Sequence, residues 1–182
     1  MKTIVKLTLL IFFMEVGTAW TQTLYGTSSG EISFYSDTPL ETIEALNQKS
    51  GAIINSDTRE VAVQMRITDF IFPNKLMQEH FNENYMESEK YPTATFKGKI
   101  KEQVDFTIPG TYSVTADGVL TIHGVTKPVT VKGNIASTEK GLKLEFKFQV
   151  RPEEFQIEVP SLVITKITEE IDVSGRMLLV KR

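Results

Sequence analysis

The 182-residue sequence contains no cysteine. That absence excludes a disulfide framework, a cysteine nucleophile, a thiolate metal site and the lipid-modified cysteine of a bacterial lipoprotein. Histidine is almost as scarce. The only two, His80 and His123, lie far apart in the chain and supply no local pair of metal ligands. No apolar run reaches the roughly 20 residues that a membrane-spanning helix needs. No Gly-x-Ser-x-Gly elbow, phosphate-binding glycine loop or dinucleotide fingerprint occurs. The adjacent acids Glu153-Glu154 and Glu169-Glu170 fall in strand-like sequence, where neighbours point to opposite faces, so they do not form a facing acid/base pair. These absences point to a protein that is not an enzyme and carries no cofactor and no metal. Charge is also close to balanced, with 20 Lys and Arg against 23 Asp and Glu, and the signs are interspersed. Such a surface suits solubility and argues against nucleic acid.

What is present begins with a leader-like segment. Lys2 and Lys6 precede the apolar run Leu7–Met14, and Gly17-Thr18-Ala19 offers small residues for cleavage. Residues 1–19 are therefore read as a secretory signal peptide and residues 20–182 as a single domain, periplasmic or secreted. Removal of two Lys and one Glu with the leader takes the formal net charge from −3 to −4.

The rest of the chain is dominated by alternation of apolar and polar residues, the signature of half-buried strands. Glu31–Tyr35 is a short strand. Val61, Val63, Met65 and Ile67 share one face of the next. Leu142, Leu144, Phe146, Phe148 and Val150 line another, the run Phe155, Ile157 and Val159 continues the style, and Ile171, Val173, Met177 and Leu179 share one face of a last strand. Pro109-Gly110, Asp117-Gly118 and Gly141 mark turns. Two helices interrupt this pattern. Thr38-Pro39-Leu40-Glu41 has the form of a capping box with proline at the first helical position, and Leu40, Ile43 and Leu46 supply a stripe, which predicts a helix over 38–49. Asn74 caps a second helix, with Leu76, Met77, His80, Phe81 and Tyr85 on one face and His80 partly buried there; Tyr91-Pro92 stops it. The expected fold class is mainly β, a single antiparallel barrel with two short helices, although a two-sheet sandwich gives the same periodicity.

Two segments carry a family resemblance. Tyr91-Pro92-Thr93-Ala94-Thr95-Phe96-Lys97-Gly98, together with Ile122-His123-Gly124-Val125-Thr126 and the following Lys127-Pro128-Val129, resembles the signature of the YceI-like family. Leu76–Phe81 is similar to the family's helix leading into the Tyr-Pro strand. The opening differs: Ser28–Phe34 stands where members typically carry an Asp-x-x-His-Ser segment. The resemblance implies an exported lipocalin-like barrel holding a polyisoprenoid or isoprenoid quinone for transport or storage, often as a homodimer. It also implies that a group of inward-facing side chains lines a tunnel.

Met65, Phe70, Phe72, Phe96, Phe106, Phe146, Phe148 and Val150 are the candidates for that wall, and packed core is the competing reading of the same residues. His123 either hydrogen-bonds a ligand headgroup at the mouth or braces the backbone of its own turn. The functional alternative to a lipid carrier is a filled-core barrel that binds a partner or protects against stress.

Overall fold

The computed structural model describes residues 22–36, 42–158 and 170–182. The leader call, the capping-box residues Thr38–Glu41, the stretch Val159–Val163 and Glu169 lie outside them. Eight strands follow one another around a closed barrel: β1 (Leu24–Ser36), β2 (Ile43–Asn55), β3 (Glu60–Arg66), β4 (Thr93–Ile100), β5 (Gly110–Ile122), β6 (Val125–Thr138), β7 (Gly141–Val150) and β8 (Ile171–Lys181). Each pairs antiparallel with the next, and β8 returns to β1 with Phe34 opposite Val173. Closure leaves no unpaired sheet edge.

The alternation has the expected cause. Along β7, Leu142 and Leu144 are buried while Lys143, Glu145, Lys147 and Gln149 are exposed. The β5–β6 connection is a two-residue hairpin closed by the pair Ile122 and Val125, with φ of 51° at His123 and 74° at Gly124. Positive φ at both central residues matches the right-handed twist of the flanking strands.

Apart from Asp117-Gly118, which lies inside β5 rather than at a turn, the structure corrects three local expectations. Residues 43–49 are strand, not helix, so among the described residues the barrel carries one short α-helix rather than two. Leu46 is 39 % exposed while Ala45 and Asn47 are buried, which splits the supposed helical stripe across two strand faces. The pattern was masked by a polar residue at an interior position. Asn47 is fully buried, and its side chain donates to the Arg66 carbonyl (3.0 Å) and accepts from the Lys49 amide (2.8 Å) and the Ser50 hydroxyl (3.2 Å). A buried amide with its partners in place is tolerated. Second, Phe155 does not continue a strand; it ends a short 3₁₀ turn, Pro152–Phe155, and is buried there. Third, His80 is exposed rather than partly buried.

The helix α1 (Lys75–His80) is capped by Asn74, whose side-chain oxygen accepts from the Leu76 amide at 2.9 Å. It runs on into a wider π turn, Phe81–Tyr85, closed by the Met86 amide on the Phe81 carbonyl at 2.9 Å. The extra residue per turn leaves His80 in solvent while Phe81 and Met86 pack inward.

The two ends of the barrel differ. At one, Ile54, Ile135, Leu142 and Leu179 are completely buried and Phe106 plugs the opening. Phe106 is held by its carbonyl, which accepts from the Ser137 hydroxyl at 2.6 Å, and by the ring of Tyr112. At the other end, α1, the π turn and the Pro152–Phe155 turn form a lid.

Candidate functional site: an apolar bore beneath a lid

Three inward positions on adjacent strands form one row: Gly133 on β6, Phe146 on β7 and Gly175 on β8. The Phe146 ring lies across the space that a side chain on Gly175 would occupy, while Gly133 is crowded by the β7 backbone. A Cβ on Gly175 would stand 2.2 Å from the ring's Cζ, and one on Gly133 would stand 3.1 Å from Phe146 Cβ. Gly175 lets the ring lie against the wall instead of standing across the bore. Phe96 covers a glycine of its own strand, Gly98, where a Cβ would be 2.6 Å from its Cζ. Pairing a ring with a glycine on the neighbouring strand restores buried contact that the glycine alone lacks.

The room left over forms two chambers. The inner one, about 60 Å³, is lined by Met65, Phe96, Phe146 and Phe148 together with aliphatic residues such as Val61 and Leu144. The lid chamber, about 120 Å³, is lined by Met65, Phe70, Phe148 and Val150, by Phe81 and Met86 from the lid, and by Pro152 and Ile157. Among the described residues, no ionisable side chain lines either chamber.

The remaining sequence candidates fall elsewhere. Phe72 and Phe106 line neither chamber. Phe106 plugs the far end. Phe72 belongs to an aromatic cluster with Phe34, Phe70 and Phe81, whose ring centroids are 4.9–5.9 Å apart. The cluster joins the lid (Phe81) to β1 (Phe34) and to the loop after β3 (Phe70, Phe72). Each such ring pair contributes about 0.5–1.5 kcal/mol beyond area burial.

His123 lies outside the chambers and ties the rim together. Its Nε2 is 2.9 Å from Glu87 Oε2, its Nδ1 is 3.3 Å from the Phe155 carbonyl, and the Tyr91 ring packs edge-on at 4.4 Å. The partners come from two distant loops, not from its own turn. Glu87 (φ 41°) and Gln156 (φ 56°), next to Phe155, share the left-handed backbone of His123. Three non-glycine residues in that region meet at one latch, and tertiary contacts hold them there.

Larger concavities, about 730 and 690 Å³, lie on the outer wall. The first is lined by Glu31, Lys132, Glu145, Lys147 and Arg176 among others, and the second is open beside Leu46 and Ile71. The perturbed acids are also outside. The Arg176 guanidinium, 2.8 Å away, holds the Glu31 carboxyl below the ordinary glutamate range, helped by Gln48. Thr130 and then Lys101 lower Asp117, the Thr115 amide lowers Glu102, and Thr107 lowers Asp105. These are structural hydrogen bonds on a solvated face, not a catalytic set.

Ile32, Leu120 and Val173, which line both chambers, are not among the wall candidates read from the sequence, although Val173 is placed there on the apolar face of the last strand; nor are the glycine rows. An interior-facing glycine in an otherwise apolar stripe is a readable sign of close approach, but which ring covers it depends on strand register.

The model of the YceI-like domain matches residues 14–177. The chain belongs to the YceI-like family. Solved structures repeat the barrel. A polyisoprenoid-binding domain from Saccharophagus degradans, implicated in plant cell wall breakdown, superposes with a TM-score of 0.73 at 11 % identity, covering 89 % of this chain and all of that one. BcnA of Burkholderia cenocepacia gives 0.68 at 20 % identity, covering 83 % and 95 %. The Campylobacter jejuni YCEI protein gives 0.59 at 14 % identity, covering 98 % and 99 %. At these identities the likeness is one of fold. Comparison with curated proteins gave no match. The YceI-like barrel here keeps the family's closed sheet although its opening strand lacks the usual histidine: β1 and β2 are each 13 residues long.

Proposed function

We propose that this YceI-like protein is an exported, non-enzymatic carrier that takes up the apolar tail of an isoprenoid-type lipid and leaves the headgroup outside. The observation that carries the reading is a bore with empty space and a wholly apolar lining beneath a separately built lid. Among the described residues such a bore offers nothing to hydrogen-bond a headgroup, and burying an unpaired polar group costs roughly 1–3 kcal/mol. An apolar tail gains about 0.8 kcal/mol for each CH₂ removed from water. Membership of the family and the polyisoprenoid-binding neighbour support this ligand class, and the leader-like segment supports action in the periplasm.

The test uses the full chain, expressed with its leader in a Gram-negative host. The mature protein is recovered from the periplasmic fraction and its bound lipid analysed by native mass spectrometry and organic extraction. Val150→Trp serves as the blocked variant, since Val150 lines the lid chamber and an indole would fill it. Wild type should carry an isoprenoid-type lipid and the variant should carry none. Equal occupancy in both would move the site elsewhere, and a cytosolic full-length product would refute export. The packed far end, with four completely buried aliphatic side chains and the Phe106 plug, favours a second reading, a filled barrel that binds a partner. That reading gains if neither endogenous nor added lipid binds.

A further inference from the structure

The chambers are small and separated by a waist. Ile32, Met65, Leu120, Phe148 and Val173 line both, so the boundary between the spaces runs through this ring of five side chains from strands β1, β3, β5, β7 and β8. The inner chamber ends on Ile54 and Ile135, and beyond it the barrel is closed by Leu142, Leu179 and Phe106. A cavity of roughly 150 Å³ lined by Leu, Ile and Phe holds one benzene. On that scale about 120 Å³ takes about five carbons and about 60 Å³ two or three.

We propose that the bore measures chain length: it accepts between one and two isoprene units, with Met65 and Phe148 at the waist setting the limit, and the rest of any longer chain stays outside. The inference rests on the functional reading above and narrows its ligand class to short prenyl tails, or to the terminal units of longer ones. Phe148 is suited to the role because, unlike Phe146, no glycine appears opposite it. It pairs with Val173 on β8, so its ring has no recess in the wall. Met65 faces the same space with an unbranched, adaptable thioether.

The experiment measures binding of prenyl alcohols of five, ten, fifteen and twenty carbons to the mature full chain by equilibrium dialysis. Affinity should rise steeply from five to ten carbons, by up to about fourfold per additional buried CH₂, and then stay within about threefold through twenty. Phe148→Leu should extend the rise to fifteen carbons. Val173→Phe, which narrows the same ring, should abolish the gain between five and ten; it keeps the test informative should Phe148→Leu fold poorly. A wild-type rise that continues undiminished to twenty carbons would overturn the length limit while leaving the lipid-carrier reading intact. A plateau unmoved by both variants would overturn the waist assignment. Binding of none of the four alcohols would instead overturn the functional reading itself.

Discussion

Replacing Gly175 by alanine asks whether the bore exists because glycine lets Phe146 lie flat. The added Cβ would meet the ring at 2.2 and 2.4 Å, whereas ordinary contacts begin near 3.4 Å, so the ring must withdraw by more than 1 Å. Phe146 lines the inner chamber, so the open direction for its ring is into that chamber. Overpacking a filled core costs about 1–3 kcal/mol, and alanine returns about 0.5–1 kcal/mol relative to glycine within a strand. The net loss should be about 0.5–2 kcal/mol. With a urea m-value of about 2 kcal/mol/M, the unfolding midpoint falls by about 0.3–1 M.

Gly51→Ala is the matched control. Its Cβ would meet nothing closer than 3.7 Å, so the same substitution should be neutral or stabilising by up to about 1 kcal/mol. Trimming the ring with Phe146→Leu in the Gly175→Ala background should recover at least about 0.5 kcal/mol as coupling between the two sites. Urea denaturation followed by far-ultraviolet circular dichroism measures wild type, Gly175→Ala, Gly51→Ala, Phe146→Leu and the double variant. If Gly175→Ala and Gly51→Ala shift the midpoint alike, or if no coupling to Phe146 is found, the ring does not depend on the glycine recess and the account of the bore is wrong.

The rim latch predicts that His123→Asn, which tolerates the left-handed backbone, destabilises by about 1–2 kcal/mol through loss of the Glu87 and Phe155 contacts and the Tyr91 packing. Amide exchange should speed up at Met86 and Gln156 more than in β6, and uniform exchange would refute a latch. On the outer wall, the lowered Glu31, Glu102, Asp105 and Asp117 contribute stability that is fully present above their ordinary values of 4.5 and 3.8 and is lost as pH falls through their depressed folded values. The unfolding midpoint should therefore decline on acidification below about pH 4.5, and Glu31→Gln with Asp117→Asn should flatten that decline; an unchanged slope would count against these two carboxylates.

Much of the architecture was already written in the order of residues. Period-two alternation identified β3, β7 and β8 and the inward faces that carry Met65, Phe146, Phe148, Val173 and Met177, because one side of a barrel wall is apolar and the other is wet. Asn74 announced α1, and the Ile122–Val125 hairpin was legible in its His-Gly pair. β2 was not. A buried Asn47 and an exposed Leu46 imitate a helical stripe, and the Arg66 carbonyl on the neighbouring strand β3 is what satisfies that amide in the strand. The same limit applies to the bore. The sequence nominated its aromatic residues as a class, but core and tunnel wall use the same side chains. Which rings lie flat, which stand at the waist, and that Phe72 fastens a lid while Phe106 plugs the far end depend on who sits opposite whom across strands distant in sequence. Registry across eight strands is a tertiary quantity, and cavity volume is the small remainder after all those side chains are packed, so neither is encoded in any single segment.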